Sequence, residues 1–236
     1  RELVEKAGAA VLIDDRSGRL QYCNKRLAEI FGYSLQQMKT KDMWSLIHPD
    51  DVARVRKIRS GLMRGRQQAA KYEFMGLRKN RETIYVEVDA VGMRNGEKVI
   101  GTRSYIWDIT QLKNTEEAIR NSEERLKLIF EYAPDGYYVM DLQGKFLDGN
   151  KAAEEMIGYT KKELIGKNFV KLKLLSPDQI AKGLSLLARN ALGQRTGPDE
   201  FTLTRKDGSQ TIVGIRTFPV KMHGQTVILG TARDIT

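Results

Sequence analysis

The side chains that could do chemistry in this chain are few and scattered. One cysteine, Cys23, and two histidines, His48 and His223, are all the thiol and imidazole among 236 residues. A single thiol excludes an internal disulfide framework and a cysteine-rich zinc site, and it fits a reducing compartment. His48 precedes Pro49 at a helix start, and His223 precedes Gly224 in a hairpin turn. Two histidines so placed make no metal site. The carboxylates come as adjacent pairs, Asp14-Asp15, Asp50-Asp51 and Glu154-Glu155. Neighbours on a strand or helix point apart, so adjacency assembles no general acid and base. No glycine-rich phosphate loop, nucleophile elbow or kinase motif is present. The chain reads as non-catalytic.

Charge is the next candidate. A net charge of +10 invites a nucleic-acid or anionic-membrane partner. The densest basic cluster is Arg54, Arg56, Lys57, Arg59, Arg64 and Arg66, interleaved with Val52, Val55, Ile58 and Leu62 near helical spacing. That pattern reads as the solvated face of an amphipathic helix. With neither zinc-finger spacing nor a basic zipper beside it, nucleic acid is not an expected partner. No apolar run approaches the ~18 residues of a membrane span, and there is no secretory leader. A cytoplasmic location is therefore expected. The abrupt start at Arg1-Glu2-Leu3 has the look of an excised fragment.

The elements that would position these groups occur twice. Asn24 to Gly32-Tyr33 recurs as Asn150 to Gly158-Tyr159, and Asp108-Ile109-Thr110 recurs as Asp234-Ile235-Thr236, each 126 residues on. Such spacing means two copies of one domain. Each copy opens with a hairpin, Val11-Leu12-Ile13 with Leu20 to Cys23, and Tyr138-Val139-Met140 with Phe146-Leu147. Asp14 to Gly18 reads as the first turn. Asn24 and Asn150 suit helix N-caps, and Gly32 and Gly158 suit left-handed C-caps. A capping box at Thr160 to Glu163 and its counterpart at Ser34 to Gln37 start a second short helix. Pro49 and Pro177 fit the first position of a third. Strands follow at 71–77, 83–93 and 99–108, then at 200–204, 210–220 and 225–232. Ile84, Val86, Val88 and Ala90 alternate with Tyr85, Glu87 and Asp89, so one face is buried and the other wet. The order predicts an α+β fold, one antiparallel sheet per copy with helices on one face.

Residues 111–132 lack proline and glycine and are rich in helix formers. Ile109, Leu112, Ile119, Leu126 and Phe130 are spaced by threes and fours, with Glu116 and Glu123 in the remaining seam positions, so a weak coiled coil is predicted. Such a helix of about 22 residues spans roughly 33 Å. It either carries twist and tilt between the copies or serves as a plain spacer.

These residues in this order resemble a tandem pair of PAS domains. The resemblance rests on Asn24 with Phe31-Gly32-Tyr33, His48-Pro49-Asp50-Asp51, Arg78-Lys79-Asn80 and Asp108-Ile109-Thr110. The second set is Asn150 with Ile157-Gly158-Tyr159, Ser176-Pro177-Asp178, Arg205-Lys206-Asp207-Gly208 and Asp234-Ile235-Thr236. It covers nearly the whole chain, as domains at 1–110 and 132–236 and a helical linker at 111–131. The resemblance implies five-stranded antiparallel sheets, each cradling a pocket behind short helices. It also implies a sensory role in a bacterial-type signalling protein.

The resemblance places the Asp-Ile-Thr turn at the start of an output helix. Asp108, Ile109 and Thr110 would then relay into the linker, and Asp234, Ile235 and Thr236 into a helix beyond. Asp108 and Thr110 would cap the linker helix, as Asp234 and Thr236 would the next, and a lost cap costs about 1 kcal/mol. Flavin-binding PAS domains carry an Asn-Cys-Arg-Phe-Leu-Gln stretch that this chain lacks, so no flavin adduct is expected. With both histidines in turns, no haem is expected either. Any cofactor is unknown. A small organic ligand would meet Phe31, Trp44, Ile47, Val55, Ile58, Phe74 and Val88 in the first copy. In the second it would meet Met156, Phe169, Leu184, Leu187, Phe201 and Ile215. The alternative is that these side chains simply fill two small cores. The expected partners are a second copy, paired through linker helices and PAS faces, and an output domain in the same polypeptide. Family frequency favours a histidine kinase over a cyclic-di-GMP enzyme or transcriptional regulator.

Overall fold

Each repeat begins where apolar alternation meets turn chemistry. The computed structural model describes residues 9–222 and 224–236; His223, expected in a hairpin turn, lies outside them. β1 (Ala10–Asp15) and β2 (Leu20–Cys23) form the first hairpin. Asn24 caps α1 (Lys25–Phe31) by accepting from the Leu27 amide, and Gly32 ends it at φ 72°, a left-handed conformation glycine adopts without steric cost. Next come α2 (Leu35–Met38), a 3-10 turn (Met43–Leu46) and α3 (Pro49–Met63). β3 (Ala69–Leu77), β4 (Thr83–Asn95) and β5 (Lys98–Asp108) complete the copy. α4 (Thr110–Glu131) leads into the second copy. That copy runs β6 (Gly136–Met140), β7 (Phe146–Gly149), α5 (Lys151–Ile157), α6 (Lys161–Leu164), α7 (Pro177–Ala191), β8 (Thr196–Thr204), β9 (Gln210–Met222) and β10 (Gln225–Asp234). Packing divides the chain into two units between Arg120 and Asn121.

Two five-stranded antiparallel sheets result, in the orders β2-β1-β5-β4-β3 and β7-β6-β10-β9-β8. The first strand of each copy pairs with its last, so Leu12 faces Ser104 and Tyr138 faces Gly230. Helices cover one face of each sheet, and the core lies between. Ile84, Val86, Val88 and Ala90 are all buried while Tyr85 is exposed, as the period-two pattern requires. β8 starts at Thr196 rather than residue 200. Gly197 and Pro198 interrupt its ladder, which resumes at Asp199, because proline has no N–H to give.

One buried asparagine per copy joins hairpin to helix. The Asn150 Oδ1 accepts from Tyr137 N at 2.8 Å and Ala153 N at 3.0 Å. Its Nδ2 donates to the carbonyls of Phe130 and Asp135, both at 3.0 Å. Asn24 Oδ1 likewise accepts from Val11 N and Leu27 N, and its Nδ2 donates to Ala9 O.

Two sequence expectations are corrected in the first copy. Asp14 is not in a turn but in β1, fully buried at 0% exposure, and Arg59 is not on a solvated face but 5% exposed. They meet: Arg59 Nη2 donates to Asp14 Oδ1 at 2.9 Å. The Thr102 amide and hydroxyl donate to the same oxygen at 2.9 and 2.7 Å. The helical period turns Arg59 to the sheet, one turn after Val55, and a carboxylate waits there. Only a paired charge tolerates such burial.

Two outcomes follow from these contacts. Asn150→Ala removes a cap and strands buried backbone groups, which lowers stability of the second unit by about 2–4 kcal/mol; urea titration of its amide NMR signals measures this. Arg59→Leu leaves Asp14 unpaired and costs the first unit about 3–5 kcal/mol. Asp14→Met, Arg59→Leu and Thr102→Ile together recover most of that loss. Both tryptophans, Trp44 and Trp107, lie in this unit, so their fluorescence during urea denaturation reads the difference.

Candidate functional site

The second copy holds a partly open cavity of about 110 Å³ between its sheet and α7. Of the wall residues expected from sequence, Met156, Phe169, Leu187, Phe201 and Ile215 line it. Leu184 does not join them: it lies 47% exposed on the outer side of α7, where the helical period turns Gly183, Leu186 and Leu187 inward instead. Sequence reasoning missed Tyr138, Met140, Asn190, Thr217 and Ile228, which also line the space. The available signal was the comparison of copies, since Asn190 and Thr217 break an apolar pattern that Leu62 and Ala90 keep in the first.

The walls are largely hydrocarbon, with polar groups at few points. Asn190 Nδ2 donates to Gln194 O at 2.9 Å. The Thr196 and Thr217 hydroxyls share a bond of 2.6 Å. Tyr138 lies across Gly230, where an added Cβ would fall 2.0 Å from the ring, and its edge meets Phe146. Burial raises the Tyr138 phenol well above its ordinary pKa, so it stays neutral. Asp148, at the margin of the cavity, pairs with Lys161.

In the first copy, Phe31, Ile47, Val55, Phe74 and Val88 are buried in one packed cluster. Trp44 is half-buried against that cluster and donates from Nε1 to Ser17 O. The Arg56 and Arg59 guanidiniums lie 4.7 and 5.8 Å from its ring centre. Ile58 is half-buried. His48 caps α3 through Nδ1, at 3.4 Å from Asp50 N. Cys23 is a free, buried thiol whose pKa burial raises, so little nucleophilic thiolate forms. Among the described residues, no cluster of histidine, cysteine and carboxylate suits a metal ion.

The exit turns are built alike in both copies. Asp108 Oδ1 accepts from Thr110 N at 2.9 Å, so Asp108 caps the first turn of α4. Thr110 does not cap that helix with its side chain. Its hydroxyl faces the sheet, accepting from Tyr85 N at 2.9 Å. Ile109 N donates to Tyr85 O, and the Ile109 carbonyl accepts from Lys113 N. Lys113 also pairs with Glu73 of β3 at 2.8 Å. Asp234 repeats the contact with Thr236 N at 2.9 Å, while Thr236 Oγ1 lies 3.4 Å from Ile212 N and Ile235 N donates to Ile212 O. The turn thus holds helix start and sheet together.

An arginine of the β3–β4 or β8–β9 turn reaches each exit. Arg78 Nη2 donates to Asp108 Oδ2 at 2.8 Å. Arg205 Nη2 is 3.9 Å from Asp234 Oδ2, and its Nε donates to the Met156 carbonyl at 2.9 Å. The following lysines donate backbone amides to Phe31 O and Ile157 O at the ends of α1 and α5. Partial burial pushes the Asp108 carboxyl up, but Thr110 and Arg78 outweigh it and hold it below the usual carboxylate range. Thr236 similarly lowers Asp234.

A family model for the PAS domain matches residues 8–111 and 134–236. Phytochrome B of Arabidopsis thaliana is 24% identical over 87% of this chain and 19% of its own length. Sensor protein FixL of Bradyrhizobium diazoefficiens is 28% identical over 55% of this chain and 26% of its own length. The chain spans about a fifth to a quarter of these curated relatives. Among solved structures, the PAS domain of an HTR-like protein from Haloarcula marismortui is 23% identical, with TM-score 0.46, covering 52% of this chain and 99% of that one. A domain of a sensory box sensor histidine kinase/response regulator from Geobacter sulfurreducens is 30% identical, with TM-score 0.41, covering 49% and 96%.

The lowered Asp108 carboxyl sets a pH dependence for the start of α4. A depressed folded pKa stabilises the turn above the unfolded value of about 3.9 and ceases to do so as pH falls through the folded value. The Thr110 amide NMR signal is expected to hold steady at and above the ordinary carboxylate range and to shift only at lower pH, as the folded Asp108 carboxyl takes up its proton. Asp108→Asn removes that titration.

Proposed function

The chain belongs to the PAS domain family, with two PAS domains in tandem, and on that premise we propose that it is the sensory segment of a longer signalling protein. PAS domains are typical of signal transduction and are not themselves catalytic. We take domain A as residues 1–110, the linker as 111–131 and domain B as 132–236. The observation that carries the reading is Arg205. One guanidinium holds the Met156 carbonyl, and Met156 lines the domain B cavity; its other end approaches Asp234 in the exit turn. A ligand that displaces α5 moves Arg205, and Arg205 moves the exit turn. Arg78 and Asp108 are the matching pair in domain A, and their turn starts the linker helix. A cap contributes about 1 kcal/mol, enough to bias a helix balanced between two poses.

The output domain in this reading is a histidine kinase in the same polypeptide. The similarity to sensor protein FixL and to domains of sensory box histidine kinases supports it. The linker pairs with that of a second copy. Leu112, Ile119 and Leu126 are exposed at a spacing of seven along α4, a seam that a parallel partner helix covers. Glu116 and Glu123 keep the pairing weak. Cytoplasmic placement rests on the single free cysteine. No helix among the described residues is long and apolar enough to cross a membrane.

Two experiments test this. Asp108→Ala with Thr110→Ala in the full-length protein is expected to change basal output and blunt the stimulated response. Unchanged output in both states means a passive spacer. Ile119→Asp is expected to weaken self-association of the chain about tenfold or more, read by sedimentation equilibrium. Equal association of variant and parent rejects pairing through the linker.

A further inference from the structure

The two copies treat one volume in opposite ways. Aligned by their strands and helix starts, Met140, Leu187 and Ile228 of domain B correspond to Asp14, Arg59 and Thr102 of domain A. The three residues of domain B line its cavity. The three of domain A bond to one another across the same place, with Arg59 donating to Asp14 and Asp14 accepting from Thr102. Domain A therefore carries its own occupant, a guanidinium held by a carboxylate.

Domain B places polar groups where domain A has hydrocarbon. Asn190 stands for Leu62, and Tyr138 stands for Leu12. Asn190 is 1% exposed, lines the cavity, and spends its Nδ2 on Gln194 O. Its Oδ1 accepts no hydrogen bond among the described residues, and neither does the Tyr138 hydroxyl. An amide oxygen on the cavity wall that accepts nothing from the protein is free to accept from a molecule in the cavity.

Size and charge narrow what that is. About 110 Å³ is somewhat less than the ~150 Å³ of an apolar cavity that binds benzene. Lys, Arg and His are absent from the lining, and its one acid, Asp148, is already paired with Lys161. A ligand carboxylate or phosphate would be desolvated there without a counter-charge.

Building on the sensory reading above, we propose that domain B binds a small uncharged molecule, mostly hydrocarbon, whose single hydroxyl or amide N–H donates to Asn190 Oδ1. Domain A takes no such ligand in the corresponding place, because Arg59 fills it.

The probes are phenol, benzene and benzoate, titrated into the whole chain and followed by amide NMR. Phenol is expected to bind at least about fivefold more tightly than benzene, and benzoate not measurably. The shifts should fall on β6, α7 and β10 and spare β1, α3 and β5. Asn190→Leu, which installs the residue domain A uses, should erase the preference for phenol while benzene still binds. The ranking in the unaltered chain needs no variant and stands if Asn190→Leu fails to fold. Benzoate binding tightest, no probe binding at tens of millimolar, or shifts centred on domain A would overturn the proposal. The two readings fail separately. If phenol binds as described and full-length output ignores it and its analogues, sensing by this cavity is wrong and the site is right. If output answers a charged effector while phenol leaves the cavity signals unmoved, sensing survives and this ligand class is wrong.

Discussion

A buried side-chain amide at the start of each first helix sets the geometry of its domain. Asn150 accepts from a strand amide and a helix amide and donates to two carbonyls, one of them on the last turn of the linker helix. Each of these buried or part-buried backbone groups would lose its side-chain partner if the asparagine moved. It aligns α5 against β6, and α5 carries Met156 into the cavity wall. The same amide fixes where the linker ends. Asn24 holds the corresponding position in domain A.

On that shared frame, the two domains diverged in how the space between α3 or α7 and the sheet is filled. Domain A uses an ion pair, with a threonine donating to the same carboxylate oxygen. A buried pair of this kind contributes little net stability over hydrocarbon, but it tolerates few alternatives. Domain B dispenses with it and keeps a cavity with apolar walls. Those walls forgo dispersion contacts that a filled core would have.

At the other end of each sheet, the exit turn couples strand and helix through short contacts. The aspartate side chain caps the helix start, and the threonine hydroxyl reaches across to the neighbouring strand. The nearby arginine adds a third element by reaching toward the end of the first helix in domain B. The three elements thus meet at one turn, tightly between Asp108 and Arg78 at 2.8 Å and more loosely between Asp234 and Arg205 at 3.9 Å.

How much of this was legible beforehand follows the range of the interactions. Caps, hairpin turns, the β4 alternation and the helical linker depend on residues within a few positions of one another, and the chain alone determined them. The duplication added the domain count, and the family motifs added the sheet. The fate of Arg59 was not legible, because its partner Asp14 lies 45 residues away, and Thr102, which donates to the same carboxylate oxygen, lies 88 residues from Asp14. Leu184 and Leu187 are alike in type, and only the placement of α7 on the sheet decides which one sees the cavity. Local chemistry chose the elements; pairing of the first strand with the last chose which side chains share an interior. Burial is a property of the assembled surfaces, so charge, cavity and exit turn acquired their roles only in the tertiary structure.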